Sequence, residues 1–174
     1  AINTTLDEQA VGLTPDGTKM IVYLDHIKTY GELYESDKKG RNFEPLVKFN
    51  DNINGGFETS GSISPDGNTF FFASERPDGY GETDIYMSRK LPNGEWALPQ
   101  NLGPKINTKY KEDFPRLSDD GKTLYFSSQG HSSMGDFDIF KAEWDPDNNT
   151  WSEPVNLGYP INTSGDDRSI CFVD

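Results

Sequence analysis

The sequence has a single cysteine, Cys171, so no intramolecular disulfide can form. That leaves the compartment open, because many exported proteins also lack disulfides. It has two histidines, His26 and His131, and neither stands at a metal-ligand spacing. No apolar run approaches the roughly 20 residues that span a bilayer, and no signal-peptide pattern is present. No Gly-x-Ser-x-Gly elbow occurs, nor a phosphate-binding glycine loop. The apolar set is only 33% of residues, low for a globular domain. No stretch holds a helical period, since acidic, glycine-broken segments would not sustain one. Together these gaps leave no motif for a nucleophilic, nucleotide-binding or metal-dependent enzyme, and no cofactor is expected.

What is present is aromatic and turn-rich. There are 11 Phe, 8 Tyr and 3 Trp, with 17 Gly and 11 Pro among 174 residues. Such a mixture suggests short strands joined by tight loops. The length suffices to bury one good core. With 16 basic and 29 acidic residues the formal net charge is −13. Repulsion from phosphates disfavours nucleic acid and an anionic membrane surface. The excess serves solubility, or forms an acidic face for a basic partner.

A repeat of about 50 residues organises the chain. Copies begin at Ile2, Ile53, Ile106 and Ile161. Thr14-Pro15-Asp16-Gly17, Ser64-Pro65-Asp66-Gly67 and Ser118-Asp119-Asp120-Gly121 give a second anchor. Thr83-Asp84-Ile85-Tyr86 aligns with Phe137-Asp138-Ile139-Phe140, and Trp96-Ala97-Leu98-Pro99 with Trp151-Ser152-Glu153-Pro154. Asn101-Leu102-Gly103 matches Asn156-Leu157-Gly158. Anchors in one order at near-constant spacing point to a propeller or related array.

Each unit divides into four expected strands. The first covers Ala10–Leu13, Ser60–Ile63 and Phe114–Leu117. The second covers Lys19–Leu24, Thr69–Ser74 and Thr123–Ser128. Asp-Gly between two β-rich runs is a strong hairpin signal. The third covers Glu32–Ser36, Asp84–Arg89 and Asp138–Glu143. The fourth covers Phe43–Val47, Trp96–Pro99 and Trp151–Val155; Pro99 and Pro154 cannot donate to a ladder, so it belongs at an edge. The run Phe70-Phe71-Phe72-Ala73 lacks alternation, which implies burial on both faces. The fold class is therefore all-β: blades of four antiparallel strands over residues 2–50, 53–103 and 106–158. Residues 161–174 carry the first strand of a fourth blade at Asp166–Val173. Within that strand Cys171 alternates with Phe172 and reads as a small buried hydrophobe rather than a nucleophile.

These anchors resemble the WD-repeat-like propeller repeat of bacterial envelope proteins. The matching residues are Glu58, Ser64–Gly67, Phe70–Ser74 and Asp84–Tyr86, then Asp113, Ser118–Gly121, Leu124–Ser128 and Asp138–Phe140. With Ile-Asn-Thr and Asn-Leu-Gly, the longer unit is similar to the version common in Bacteroidetes. There such propellers accompany helical repeats and a peptidoglycan-binding domain. The resemblance implies an exported location, periplasmic or associated with the outer membrane. The first unit departs from it, with Gly31-Glu32-Leu33-Tyr34 for Asp-Ile-Tyr and Phe43 for Trp.

Closed propellers have about four to eight blades, so three units do not close a ring. A longer chain, a second copy or another protein must supply the rest. Acidic residues recur just before each first strand, and Glu8, Glu58, Asp113 and Asp167 are expected to ring one mouth of the central channel. There they either accept hydrogen bonds from a neighbouring blade or meet a cation or basic partner. The loops Asp25–Gly31, Arg76–Glu82 and Gly130–Asp136 carry Arg76, Tyr80 and His131, and loops are where propellers place ligand contacts. Asp145-Pro146-Asp147 opens like a calcium loop, but Thr150 stands where its glycine belongs. The expected role is a non-catalytic scaffold for protein or cell-wall contacts. The alternative is the propeller portion of a hydrolase.

Overall fold

The computed structural model describes residues 6–25 and 31–171. The opening copy from Ile2 and the loop holding His26 lie partly or wholly outside them. The three Asp-Gly turns set the architecture. In each, a hydroxyl donates to the turn aspartate: Thr14 to Asp16 at 2.7 Å, Ser64 to Asp66 at 2.5 Å and Ser118 to Asp120 at 2.6 Å. The same aspartates accept the N–H of Thr18, Asn68 and Lys122. Gly17, Gly67 and Gly121 sit at φ of 65°, 73° and 73°, a region that side chains disfavour. Each turn therefore closes a hairpin by local chemistry alone.

The first hairpin pairs β1 (Asp7–Leu13) with β2 (Lys19–Asp25), followed by β3 (Gly31–Lys39), β4 (Asn42–Phe43) and β5 (Val47–Lys48). The second sheet runs β6 (Phe57–Ile63), β7 (Thr69–Glu75), β8 (Asp84–Arg89) and β9 (Gln100–Asn101). The third runs β10 (Glu112–Leu117), β11 (Thr123–Ser128), β12 (Asp138–Asp145), β13 (Thr150–Trp151) and β14 (Val155–Asn156). All ladders within the sheets are antiparallel, in chain order from first strand to edge.

Three expectations need correction. The first strands begin earlier than expected, at Asp7, Phe57 and Glu112; each carries a bulge, between Ala10 and Gly12, Glu58 and Ser60, and Asp113 and Arg116. The fourth strands are not continuous. Pro45, Pro99 and Pro154 interrupt them, leaving two-residue pieces and a lone bridge from Lys90 to Trp96. The missing N–H explains the break. Finally, Asp166–Cys171 forms no ladder, and Phe172 and Val173 lie outside the described residues. Cys171 is accordingly exposed rather than buried.

The core lies between the sheets. Ile21, Leu33 and Phe49 of the first unit pack on Phe70, Phe72, Tyr86 and Trp96 of the second. Phe71 and Ile85, on the other face of that second sheet, pack on Leu124, Phe126, Phe140 and Trp151 of the third. Thus β7 is buried on both faces, and its unbroken aromatic run is what stacking requires. Phe49 stacks on Phe70 at 4.7 Å between ring centroids, and Phe71 meets Trp151 edge-on at 6.3 Å. Each such buried ring is worth about 1.5–3 kcal/mol. The first strands of adjoining blades approach closely: a Cβ on Gly12 would collide with the carbonyl oxygen of Gly61.

Candidate functional site

The loop ends of the three blades are held by a clasp that recurs in every copy. Asn54, Asn107 and Asn162 accept the N–H of Leu33, Ile85 and Ile139 at 2.8 Å, and donate back to the same residues' carbonyls. Each asparagine therefore ties the entry of one blade to the third strand of the blade before. Asn107 also donates to Asn101, which donates to Asp84; Asn162, Asn156 and Asp138 repeat the chain. Asp84 accepts the N–H groups of Tyr80 and Gly81, and Asp138 those of Met134 and Gly135. The Asp-Ile-Tyr and Asn-Leu-Gly anchors thus fix the outer loops through carboxylate caps.

Of the carboxylates expected to ring one mouth of the channel, Glu58 and Asp113 are buried and Glu8 and Asp167 are half-buried. Glu58 is fully buried and accepts from Gly56 N–H, Ser74 Oγ and Arg76. Its structural counterpart is Glu112, not Asp113, because Glu58 pairs in register with Ser74 and Glu112 with Ser128. Glu112 is fully buried too and accepts from Thr108 N–H, Thr108 Oγ1 and Ser128 Oγ. Asp167 repeats this with Thr163 N–H and Oγ1, while Glu8 is half-buried at the same point of β1. Asp113 lies 8% exposed and reaches across to the second blade: Ser60 donates to it at 2.5 Å and Thr59 at 2.8 Å. Burial pushes the carboxyls of Glu58, Glu112 and Asp113 above their ordinary range, against the opposing pull of these hydrogen bonds.

Arg76 is folded inward. Its guanidinium donates to the carbonyls of Asn52 and Ile53 and to Glu58, and lies 5.1 Å over Phe72 and 5.2 Å over Tyr86. His131 bonds the Ile106 carbonyl through Nε2 at 2.8 Å and packs on Phe126 and Phe140. Of the three loop residues singled out from the sequence, only Tyr80 projects, at 53% exposure. Its counterpart in the next blade, Met134, is 52% exposed, and Tyr110 is exposed beside the same loops, where its carbonyl accepts Glu82 N–H. The shared offset of Tyr80 and Met134 from Asp84 and Asp138 was the signal available in the sequence.

Among the described residues no group of three or more His, Cys, Asp and Glu side chains is placed to hold a metal ion. Asp145 accepts from Asp147 and Asn148 within its own turn. No helix among the described residues is long and apolar enough to cross a membrane.

The stacked, chain-ordered four-stranded sheets decide the fold. The chain is a β-propeller segment. TolB from Acinetobacter baumannii superimposes with a TM-score of 0.58 at 18% identity, over 92% of this chain and 34% of that one. A TolB-like protein from Agrobacterium tumefaciens gives 0.60 at 18%, over 94% and 55%. The propeller domain of the Trilobed protease from Pyrococcus furiosus, described as having an open velcro topology, gives 0.51 at 12%, over 90% and 44%. The segment thus spans between a third and just over half the length of these proteins. No family model matches the sequence, and no curated protein does. At these identities the likeness concerns the fold alone.

Proposed function

We propose that this propeller segment is a non-catalytic scaffold that makes protein or cell-wall contacts in a bacterial envelope. One observation carries the reading: the repeat holds its loops rigidly and uses them to display apolar side chains. Asp84 and Asp138 pin the backbone beside Tyr80 and Met134, and both side chains stand in solvent with Tyr110 nearby. Exposed aromatic and methionine side chains on a fixed frame suit an interface anchor. Glu58, Glu112 and Asp113, by contrast, are engaged inside the fold. Similarity to TolB proteins agrees with an envelope setting, and similarity to a protease propeller supports a second reading, the propeller portion of a hydrolase.

The two readings separate in one set of assays. The chain is tested for co-sedimentation with purified peptidoglycan and for crosslinking to envelope proteins, alongside turnover of ester, lactone, glycoside and peptide substrates. The scaffold reading expects saturable binding that Tyr80→Ser with Met134→Ser abolishes, and no turnover. Turnover, or binding indifferent to those substitutions, would overturn it.

A further inference from the structure

The two junctions between blades are built from equivalent positions and differ at one end. Between the first and second blades those positions hold Lys19, Glu35, Asp37 and Lys90. Lys19 Nζ lies 2.9 Å from Glu35 and 2.8 Å from Asp37, and Lys90 Nζ sits 5.5 Å over the Trp96 ring. The charges at this junction are engaged within their own blades, Lys19 with Glu35 and Asp37 on the first and Lys90 over Trp96 on the second. Between the second and third blades the same positions carry Thr69, Met87, Arg89 and Trp144. No salt bridge spans them, and a cleft of about 330 Å³ opens there, adjoining a second of about 530 Å³ that shares Met87, Arg89, Trp144 and Trp151.

The cleft has an aromatic wall and a polar rim. Trp144 meets Trp151 edge-on at 5.1 Å between centroids, and Phe71 lies behind Trp151. Trp151 and Phe71 are buried, whereas Trp144 is half-buried and lines both cavities. The side chains of Arg89 and Asp119 are exposed at the rim, and neither forms a hydrogen bond or ion pair with another described residue.

We propose that this cleft binds a saccharide of about one or two pyranose units. A sugar ring offers an apolar C–H face, which suits the Trp144 indole, and hydroxyls around its edge. Arg89 can only donate and Asp119 only accept, so together they serve a ligand with both functions. An extended peptide fits less well, because the nearby edge is cut at Pro99 and Pro154 into two-residue pieces and offers no ladder to extend. The site lies beside the Asp-Gly turns, at the opposite end of the strands from Tyr80 and Met134, and does not depend on the contact role assigned to those loops.

The test titrates the chain with N,N′-diacetylchitobiose, cellobiose and maltose, following the tryptophan indole signals by NMR, with a Pro- and Tyr-containing peptide as comparison. At least one disaccharide is expected to shift the Trp144 indole saturably. Trp144→Ala should weaken that binding about tenfold or more, and Trp144→Phe should keep most of it. Arg89→Ala and Asp119→Asn, at exposed positions that leave folding intact, should weaken it several-fold. Absence of binding by all three sugars, binding by the peptide alone, or affinity unchanged by Arg89→Ala and Trp144→Ala would overturn the proposal.

Discussion

Arg76 and His131 take the same place in successive blades. Each closes the loop end of an aromatic pair, Phe72 with Tyr86 and Phe126 with Phe140. Each also bonds the carbonyl of the blade-entry isoleucine, Ile53 or Ile106. A cation in one copy and an imidazole in the other solve one packing problem. Arg76 also forms an ion pair with the buried carboxylate of Glu58 at 3.2 Å, whereas no hydrogen bond or ion pair among the described residues joins His131 to the buried Glu112 near it.

That difference sets the first prediction. Arg76→Ala leaves Glu58 buried without a counter-ion and takes a donor from the Asn52 and Ile53 carbonyls, the latter keeping Gly55 N–H, so it should destabilise by about 3 kcal/mol or more. His131→Ala removes one hydrogen bond and some ring packing and should cost about 1 kcal/mol. Urea unfolding midpoints of the two variants check the order; equal losses would contradict it.

Asn107 is 1% exposed and satisfies both backbone groups of Ile85. Asn107→Ala should cost about 1–3 kcal/mol, because the buried Ile85 N–H loses its partner while the Ile85 carbonyl keeps only Leu102 N–H. Asn107→Asp keeps the acceptor and loses the donor, and should fall between. Hydrogen exchange at the Ile85 amide provides the local readout, with fast exchange expected in the alanine variant.

The stacked core predicts a directional effect. Phe70→Ala opens a cavity between the first and second blades, and Phe71→Ala one between the second and third. Each should cost about 3–5 kcal/mol. Tryptophan fluorescence should resolve them: Phe70→Ala perturbs Trp96, and Phe71→Ala perturbs Trp151.

The buried carboxylates predict a pH dependence. Burial raises Glu112 in the folded chain, so the folded state holds a proton that the unfolded chain releases. The associated stability is present below the ordinary carboxylate range, about pH 4, and is lost as pH rises through the raised value. Glu58 and Asp113 act in the same direction. The turn aspartates Asp66 and Asp120 are lowered by their hydroxyl donors and act oppositely, their contribution fading on acidification. Glu112→Gln should therefore lie furthest below the parent in melting temperature at acid pH, and the gap should narrow toward neutrality. A gap that stays constant or widens would refute the assignment.

Much of the fold was legible because its signals are local. Asp-Gly turns and the β-rich runs beside them place β7, β8 and β11 within a residue of expectation. The first strands were cut short because leading residues such as Glu58 and Thr59 are polar and are held there through partners on other strands, Ser74 and Asp113. The entry to the second blade, Gly55-Gly56-Phe57, is also one residue shorter than Thr108–Lys111. That difference concealed the match of Glu58 to Glu112 and drew Asp113 into its place. The clasp was visible as a recurring Ile-Asn pair, but its target lies in the preceding blade and carries no sequence mark. The last copy shows what packing adds: Ile53 and Ile106 are 0% exposed between blades, whereas Ile161 is 46% exposed with no blade beyond it among the described residues.

The central claim is that the repeated polar residues join blade to blade. A double-mutant cycle on Ser60→Ala and Asp113→Ala, read by urea unfolding, tests it most directly, since the two side chains meet across the second junction at 2.5 Å. A coupling energy of about 1 kcal/mol or more is expected. Losses that add to within about 0.3 kcal/mol would mean that Asp113 does not hold the blades together.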